Sequence, residues 1–230
     1  MSRRGAKRTL VSRADGFELG AYHVRPDDAR RGGLVLIQEI FGVTDHIEEL
    51  ADGFAEDGYE VIAPAFFDRQ QGNFQATYEP EDMQRAIALS QAAPWDLVIG
   101  DAQAAIDALE GPVFVAGYCW GGAASWVVAA NCEGVAAASC FYGRRISERI
   151  EDTPRCPTIL HFGKTDASIP MERVDEIRAR HPEIPIYLYD AGHGFVSDRR
   201  KDYQPDAARL ARLRTLQLFA RSGGGRGEGA

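Results

Sequence analysis

The feature that most limits what this chain can become is a repeated alternation of two hydrophobic periods. Short, near-continuously apolar runs occur at 34–38 (LVLIQ), 60–64 (EVIAP), 113–117 (VFVAG), 135–142 (VAAASCFY), 157–162 (PTILHF) and 186–190 (IYLYD). Strands buried on both faces read this way, whereas half-exposed strands alternate. Between them lie helix-period segments: HIEELADGFAEDG ending at Gly58, DLVIGDAQAAIDALEG ending at Gly111, a helix near 81–92, MERVDEIRARH before Pro182, and PDAARLARLRTLQLFA. Strand and helix in regular succession predict an α/β fold, a mostly parallel central sheet with helices on both faces. RTLVSRADGFELGAYHV alternates instead, around the turn signal Asp15-Gly16, and predicts an antiparallel hairpin at one edge. Residues 68–80 (DRQQGNFQATYEP) read as an irregular excursion and a candidate wall of a site.

One domain accounts for 230 residues. We assign it to 8–220, with a flexible N-terminus over 1–7 and a disordered glycine-rich tail over 221–230. A net charge of −8 disfavours nucleic acid as a partner. No apolar run is long enough for a membrane helix, and the basic start MSRRGAKRTL lacks the apolar segment of an export signal, so a cytoplasmic protein with no membrane partner is expected. Of the four cysteines, Cys132, Cys140 and Cys156 read as small buried hydrophobes; no spacing suggests zinc, and no metal is expected.

Cys119 differs. It lies in VFVAGYCWGG, where a predicted strand stops at Gly117 and a predicted helix begins. Gly117-x-Cys119-x-Gly121 has the form of the nucleophile elbow of α/β-hydrolases, with cysteine in the serine position. Glycines flank such a turn because a side chain there would strike the adjoining strand or helix. A helix N-terminus also favours a thiolate. A lone G-x-C-x-G marks packing more often than chemistry, but this fold requires an acid and then a histidine on later strand-end turns. Asp166, in HFGKTDASIP, follows the run at 157–162, and His193, in YDAGHGF, follows the run at 186–190. Singly, each could be a turn residue; their order and placement favour a Cys119, His193, Asp166 triad. His193 would take the thiol proton, Asp166 would fix its tautomer, and Cys119 would attack an ester or lactone carbonyl to give a thioester. The backbone N–H groups of Trp120 and Ile40 are the expected oxyanion donors.

With QEIFGV, GYCWGG, GKTD and AGHGF considered together, the sequence closely resembles the dienelactone hydrolase family, the carboxymethylenebutenolidases, over about residues 10–220. The resemblance implies an α/β-hydrolase fold, a Cys-His-Asp triad, no cofactor, and hydrolysis of an unsaturated lactone in chloroaromatic degradation. It also implies that Glu39 pairs with the resting cysteine and is displaced by substrate, and that arginines hold the substrate carboxylate. Arg85 falls near one such position. At the other, four residues after the histidine, this chain has Ser197, with Arg199 and Arg200 slightly further on. That departure bears on the substrate more than on the reaction type. Phe141 and Tyr142 are expected to line the pocket. The oligomeric expectation is a monomer or small homo-oligomer. Two alternatives stay open: a general carboxylesterase or thioesterase, and a non-catalytic or thiol redox-sensing scaffold, for which Cys132 is a poor resolving partner.

Overall fold

The computed structural model describes residues 4–225. Eight strands form one sheet: β1 (Ala6–Val11), β2 (Glu18–Val24), β3 (Gly32–Ile37), β4 (Tyr59–Pro64), β5 (Val113–Tyr118), β6 (Val135–Phe141), β7 (Thr158–Gly163) and β8 (Ile186–Tyr189). Their order is β1-β2-β4-β3-β5-β6-β7-β8. The hairpin β1/β2 sits at one edge and pairs antiparallel to β4, and every other pairing is parallel. Six helices complete the fold: α1 (Asp45–Glu56), α2 (Pro80–Ala92), α3 (Trp95–Asp107), α4 (Trp120–Asn131), α5 (Met171–Arg180) and α6 (Pro205–Arg221). This is the α/β architecture expected from the alternation of periods.

The apolar runs became strands because both of their faces are covered. In β3 every residue is buried, and alternate side chains join different cores. Leu34 and Leu36 pack with Phe54 of α1 and Phe219 of α6, while Val35 and Ile37 pack with Val98 and Ala102 of α3. Each such side chain, fully withdrawn from water, contributes about 1.5–3 kcal/mol.

Differences from the sequence reading lie at element ends. Strand β1 begins at Ala6, inside the segment expected to be flexible, and α6 runs through Arg221. Of those expected segments, 1–3 and 226–230 lie outside the described residues. Strand β6 stops at Phe141, because Tyr142 turns to φ 36° and leaves the ladder. A short 3-10 helix, Arg144–Arg149, follows and had no signal in the periodicity.

Register brings the site together. Ile37 pairs with Gly117, Gly117 with Cys140, Phe141 with His161, and Gly163 with Tyr189. The carboxyl ends of β3, β5, β7 and β8 therefore share one rim, and the turns carrying residues 39, 119, 166 and 193 all emerge there. Ligands of open α/β sheets bind at this end of the strands.

Candidate active site

The turn after β5 is made by close backbone approach. A Cβ on Gly117 would lie 2.1 Å from the Gly121 carbonyl oxygen, and one on Gly121 would lie 2.4 Å from the carbonyl oxygens of Ile37 and Gln38. Between them Cys119 adopts φ 56° and ψ −114°, a strained conformation for a residue with a side chain. Its N–H donates to the Phe141 carbonyl at 3.0 Å, tying the turn to β6. The strain holds the sulfur half-exposed above the sheet, at the start of α4.

The turns after β7 and β8 are stitched to each other. Lys164 N–H donates to the Tyr189 carbonyl and Thr165 N–H to the Ala191 carbonyl, at 2.8 and 3.1 Å. His193 is thereby placed between the other two groups: Nε2 lies 3.1 Å from Cys119 Sγ, and Nδ1 lies 2.7 Å from Asp166 Oδ2. The second carboxylate oxygen, Oδ1, accepts from the N–H and the hydroxyl of Ser168 at 2.8 and 2.6 Å. Ser168 Oγ is also 3.0 Å from His193 Nδ1. With Nδ1–H directed at a carboxylate, Nε2 is left to exchange a proton with the sulfur.

The charges follow from these contacts. Burial opposes ionisation of His193, but the Cys119 sulfur and the Asp166 carboxylate outweigh it and push the imidazole up to about 10. Burial likewise opposes ionisation of Asp166, and its bonds to His193 and Ser168 overcome this, holding it below the usual carboxylate range.

Above these groups opens a cleft of about 310 Å3. Cys119, His193, Ile40 and Trp120 line its base, and Met83 and Ile87 of α2 form an apolar wall. Trp120 is fixed by stacking on Trp95, with ring centroids 6.1 Å apart, and by Phe67 at 4.9 Å. As the first residue of α4, Trp120 has a backbone N–H without an intrahelical acceptor. Arg144, Arg145 and Arg200 also line the cleft.

The other sequence-predicted residues are placed differently. Glu39 is 2% exposed, and its Oε1 has no hydrogen-bond partner among the described residues. No hydrogen bond joins it to Cys119 among the described residues. Its charge is felt instead by Tyr142, Tyr78 and His46. Arg85 does not line the cleft. It lies over Phe74 and bonds Gln71 and Asp82, because Met83 and Ile87 share the inward face of α2 and a residue midway between them points away. Phe141 is core: it stacks on His161 at 4.4 Å and does not reach the cleft. Tyr142 is fully buried and lies edge-on beneath His193 at 5.1 Å. The 68–80 excursion borders a separate cavity through Asp68, Asn73, Phe74 and Gln75, and the cleft wall is α2 instead. Ser197 is buried and shares a hydrogen bond of 3.2 Å with Tyr78, while Arg200 reaches the cleft.

Sequence reasoning missed Ser168 and the arginines of the 3-10 helix. Asp166-x-Ser168 is the spacing at which a carboxylate accepts the N–H two residues on, so Ser168 had a legible signal. Arg144 and Arg145 had none, since their place depends on how the chain leaves β6.

Comparison with known proteins bears on the family and the fold. The profile of the Dienelactone hydrolase family matches residues 19–223. The chain is 30% identical to the carboxymethylenebutenolidase of Pseudomonas sp. strain P51, covering 90% of this chain and 91% of that one. It is 28% identical to carboxymethylenebutenolidase 1 of Cupriavidus pinatubonensis, over 92% and 94% of the two chains. A crystal structure from Klebsiella pneumoniae, described as a dienelactone hydrolase, superposes with a TM-score of 0.82 at 26% identity, covering 94% of this chain and 99% of that one. The fold, the rim on which these turns converge and the match along nearly the whole chain lead to one assignment: this protein belongs to the dienelactone hydrolase family, carboxylic ester hydrolases of the α/β-hydrolase fold.

Proposed function

We propose that the chain hydrolyses small lactones or esters that carry a carboxylate, with Cys119 as nucleophile, His193 as general base and then general acid, and Asp166 as the group that orients the imidazole. The observation that carries this reading is the continuous chain of contacts, 3.1 Å from sulfur to Nε2 and 2.7 Å from Nδ1 to carboxylate. Cys119 gives its proton to Nε2, and the sulfur then attacks the carbonyl beside an imidazolium, the species that Asp166 favours. The oxyanion develops beside the N–H groups of Trp120 and Ile40, which flank Cys119 at the base of the cleft. Nε2 then returns its proton to the leaving oxygen, and water, deprotonated by the same nitrogen, resolves the thioester.

Glu39 fits a gating role. A buried carboxylate oxygen without a partner is costly, and movement toward the cleft would relieve it. Arg200 is the candidate for the substrate carboxylate in place of the arginine that Ser197 replaces: it lines the cleft and its charge reaches buried Tyr142. The relatives named carboxymethylenebutenolidase support a lactone as substrate.

Hydrolysis of a dienelactone and of an uncharged aryl acetate, by the wild type and by Cys119→Ala, tests this. Turnover that favours the lactone and disappears with the sulfur supports it. An aryl acetate preferred over the lactone would move the reading to a general esterase, and full activity in Cys119→Ala would end it.

A further inference from the structure

The cleft does not stop at the reacting groups. A second hollow of about 500 Å3 adjoins it and shares Arg144, Glu148 and Ser168 with its lining. Neither Cys119 nor His193 borders this hollow; Ile169, Pro170 and Arg173 do. Ser168 is the threshold, since it touches the Asp166–His193 pair on one side and the hollow on the other.

The arginines around it are not equivalent. Arg145 is spent on structure: it lies over Trp95 at 4.8 Å, donates to the Ser90 carbonyl at 3.1 Å and pairs with Glu148 at 2.8 Å. That pairing also neutralises Glu148, a carboxylate that borders the hollow. Arg173 pairs with Glu176 at 2.9 Å. Arg144 is exposed and borders both spaces, and its guanidinium makes no hydrogen bond or ion pair among the described residues. A guanidinium left without an acceptor where a largely apolar cleft meets a polar hollow is suited to a carboxylate brought by a ligand.

We propose that this hollow is a second anion subsite, in which Arg144 binds a carboxylate several bonds away from the scissile carbonyl, so that the substrates include extended ester acids as well as compact lactones. The inference rests on Cys119 being the nucleophile. The apolar wall of Met83 and Ile87 accepts the intervening chain, and Arg144 receives its end.

The test is a series of mono(4-nitrophenyl) half esters from malonic to suberic acid, each compared with the uncharged alkanoate ester of the same chain length. A second series, acetate esters of ω-hydroxyalkanoic acids against simple alkyl acetates, places the anion on the alcohol side. The quantity read is the ratio of kcat/KM for charged over uncharged ester. In at least one series the ratio should rise with chain length, fall about three- to fivefold in Arg144→Gln, recover in Arg144→Lys, and shrink at high ionic strength. A ratio highest for the shortest acid, or an Arg144→Gln variant that changes both esters equally in both series, overturns the subsite. If Cys119→Ala still hydrolyses the uncharged esters at the wild-type rate, the nucleophile reading is what fails. If that activity is lost while the ratio ignores Arg144, the subsite fails alone.

Discussion

Two imidazoles near the same end of the sheet show how little burial alone decides. His161, in β7, is fully enclosed, stacked between Phe141 and Tyr187, with Tyr189 Oη 2.8 Å from Nδ1 and Ser139 Oγ 3.2 Å from Nε2. Its neighbours are hydroxyls and rings. Burial pushes it down to about 3, and the charge of Arg214 adds to that. His193 experiences the same opposition from burial, yet the sulfur and carboxylate beside it reverse the sign. A histidine that meets only neutral groups stays neutral and serves packing; one placed between two acids can hold a proton and pass it on.

Removing the sulfur should separate the two most sharply. In Cys119→Ala, kcat should fall by about 10⁴-fold or more, and the His193 resonances should titrate below the wild-type midpoint while those of His161 do not move. Asp166→Asn comes next, with a loss of about 10³–10⁴-fold in kcat, since the amide no longer selects the tautomer that leaves Nε2 free. The paired charges also set a pH signature. Because the folded His193 lies near 10 against 6.5 for a free imidazole, its contribution to stability is complete below about 6.5 and is lost as pH rises through about 10. The stability difference between wild type and Asp166→Asn should narrow over that alkaline window, as followed by thermal unfolding.

Much of this was legible beforehand, for a physical reason. The parallel sheet announces itself through runs buried on both faces, and α/β topology brings the turns past β5, β7 and β8 to one rim, so the meeting of Cys119, Asp166 and His193 could be read from position alone. What could not be read depended on direction rather than position. Arg85 lies on the expected helix, but whether residue 83 or 85 faces the cleft is a matter of a half-turn of phase, set by how α2 docks. Glu39 lies at the expected turn, yet which way its carboxylate points is decided by the Glu39–Gly42 bridge and by Gln38, whose side chain accepts from Phe66 N–H. Phe141 and Tyr142 are adjacent, but one ends the strand and the other turns out of it, so one faces His161 and the other His193.

His161→Ala tests the packing half of the comparison. It leaves a cavity in a full core and takes a partner from Ser139 and Tyr189, at a cost of about 2–4 kcal/mol. Chemical denaturation should report that loss with little change in the pH optimum of hydrolysis. The sign of its pH dependence is opposite to that of His193. The folded imidazole lies near 3 against 6.5 when free, so its neutral burial stabilises fully above about 6.5, and this contribution fades as pH falls toward 3. The wild type should therefore lose stability in mild acid more steeply than His161→Ala does.

The smallest expected effect belongs to Ser168, which lines the cleft and bonds both members of the Asp166–His193 pair. Its hydroxyl donates to Asp166 Oδ1 at 2.6 Å, yet that oxygen keeps the Ser168 N–H at 2.8 Å when the hydroxyl is gone. Ser168→Ala thus removes one of several bonds that hold Asp166 ionised. The loss corresponds to about 1 kcal/mol and about fivefold in kcat/KM. A general loosening of the turn would produce that too, so the pH profile is the discriminating readout. With a less firmly ionised carboxylate, the imidazolium is less favoured and the alkaline limb of the profile should move to lower pH. Ser168→Thr, which keeps the hydroxyl, should restore both the rate and the limb. If the alanine variant slows hydrolysis while its alkaline limb stays in place, Ser168 shapes the turn without tuning the proton on His193.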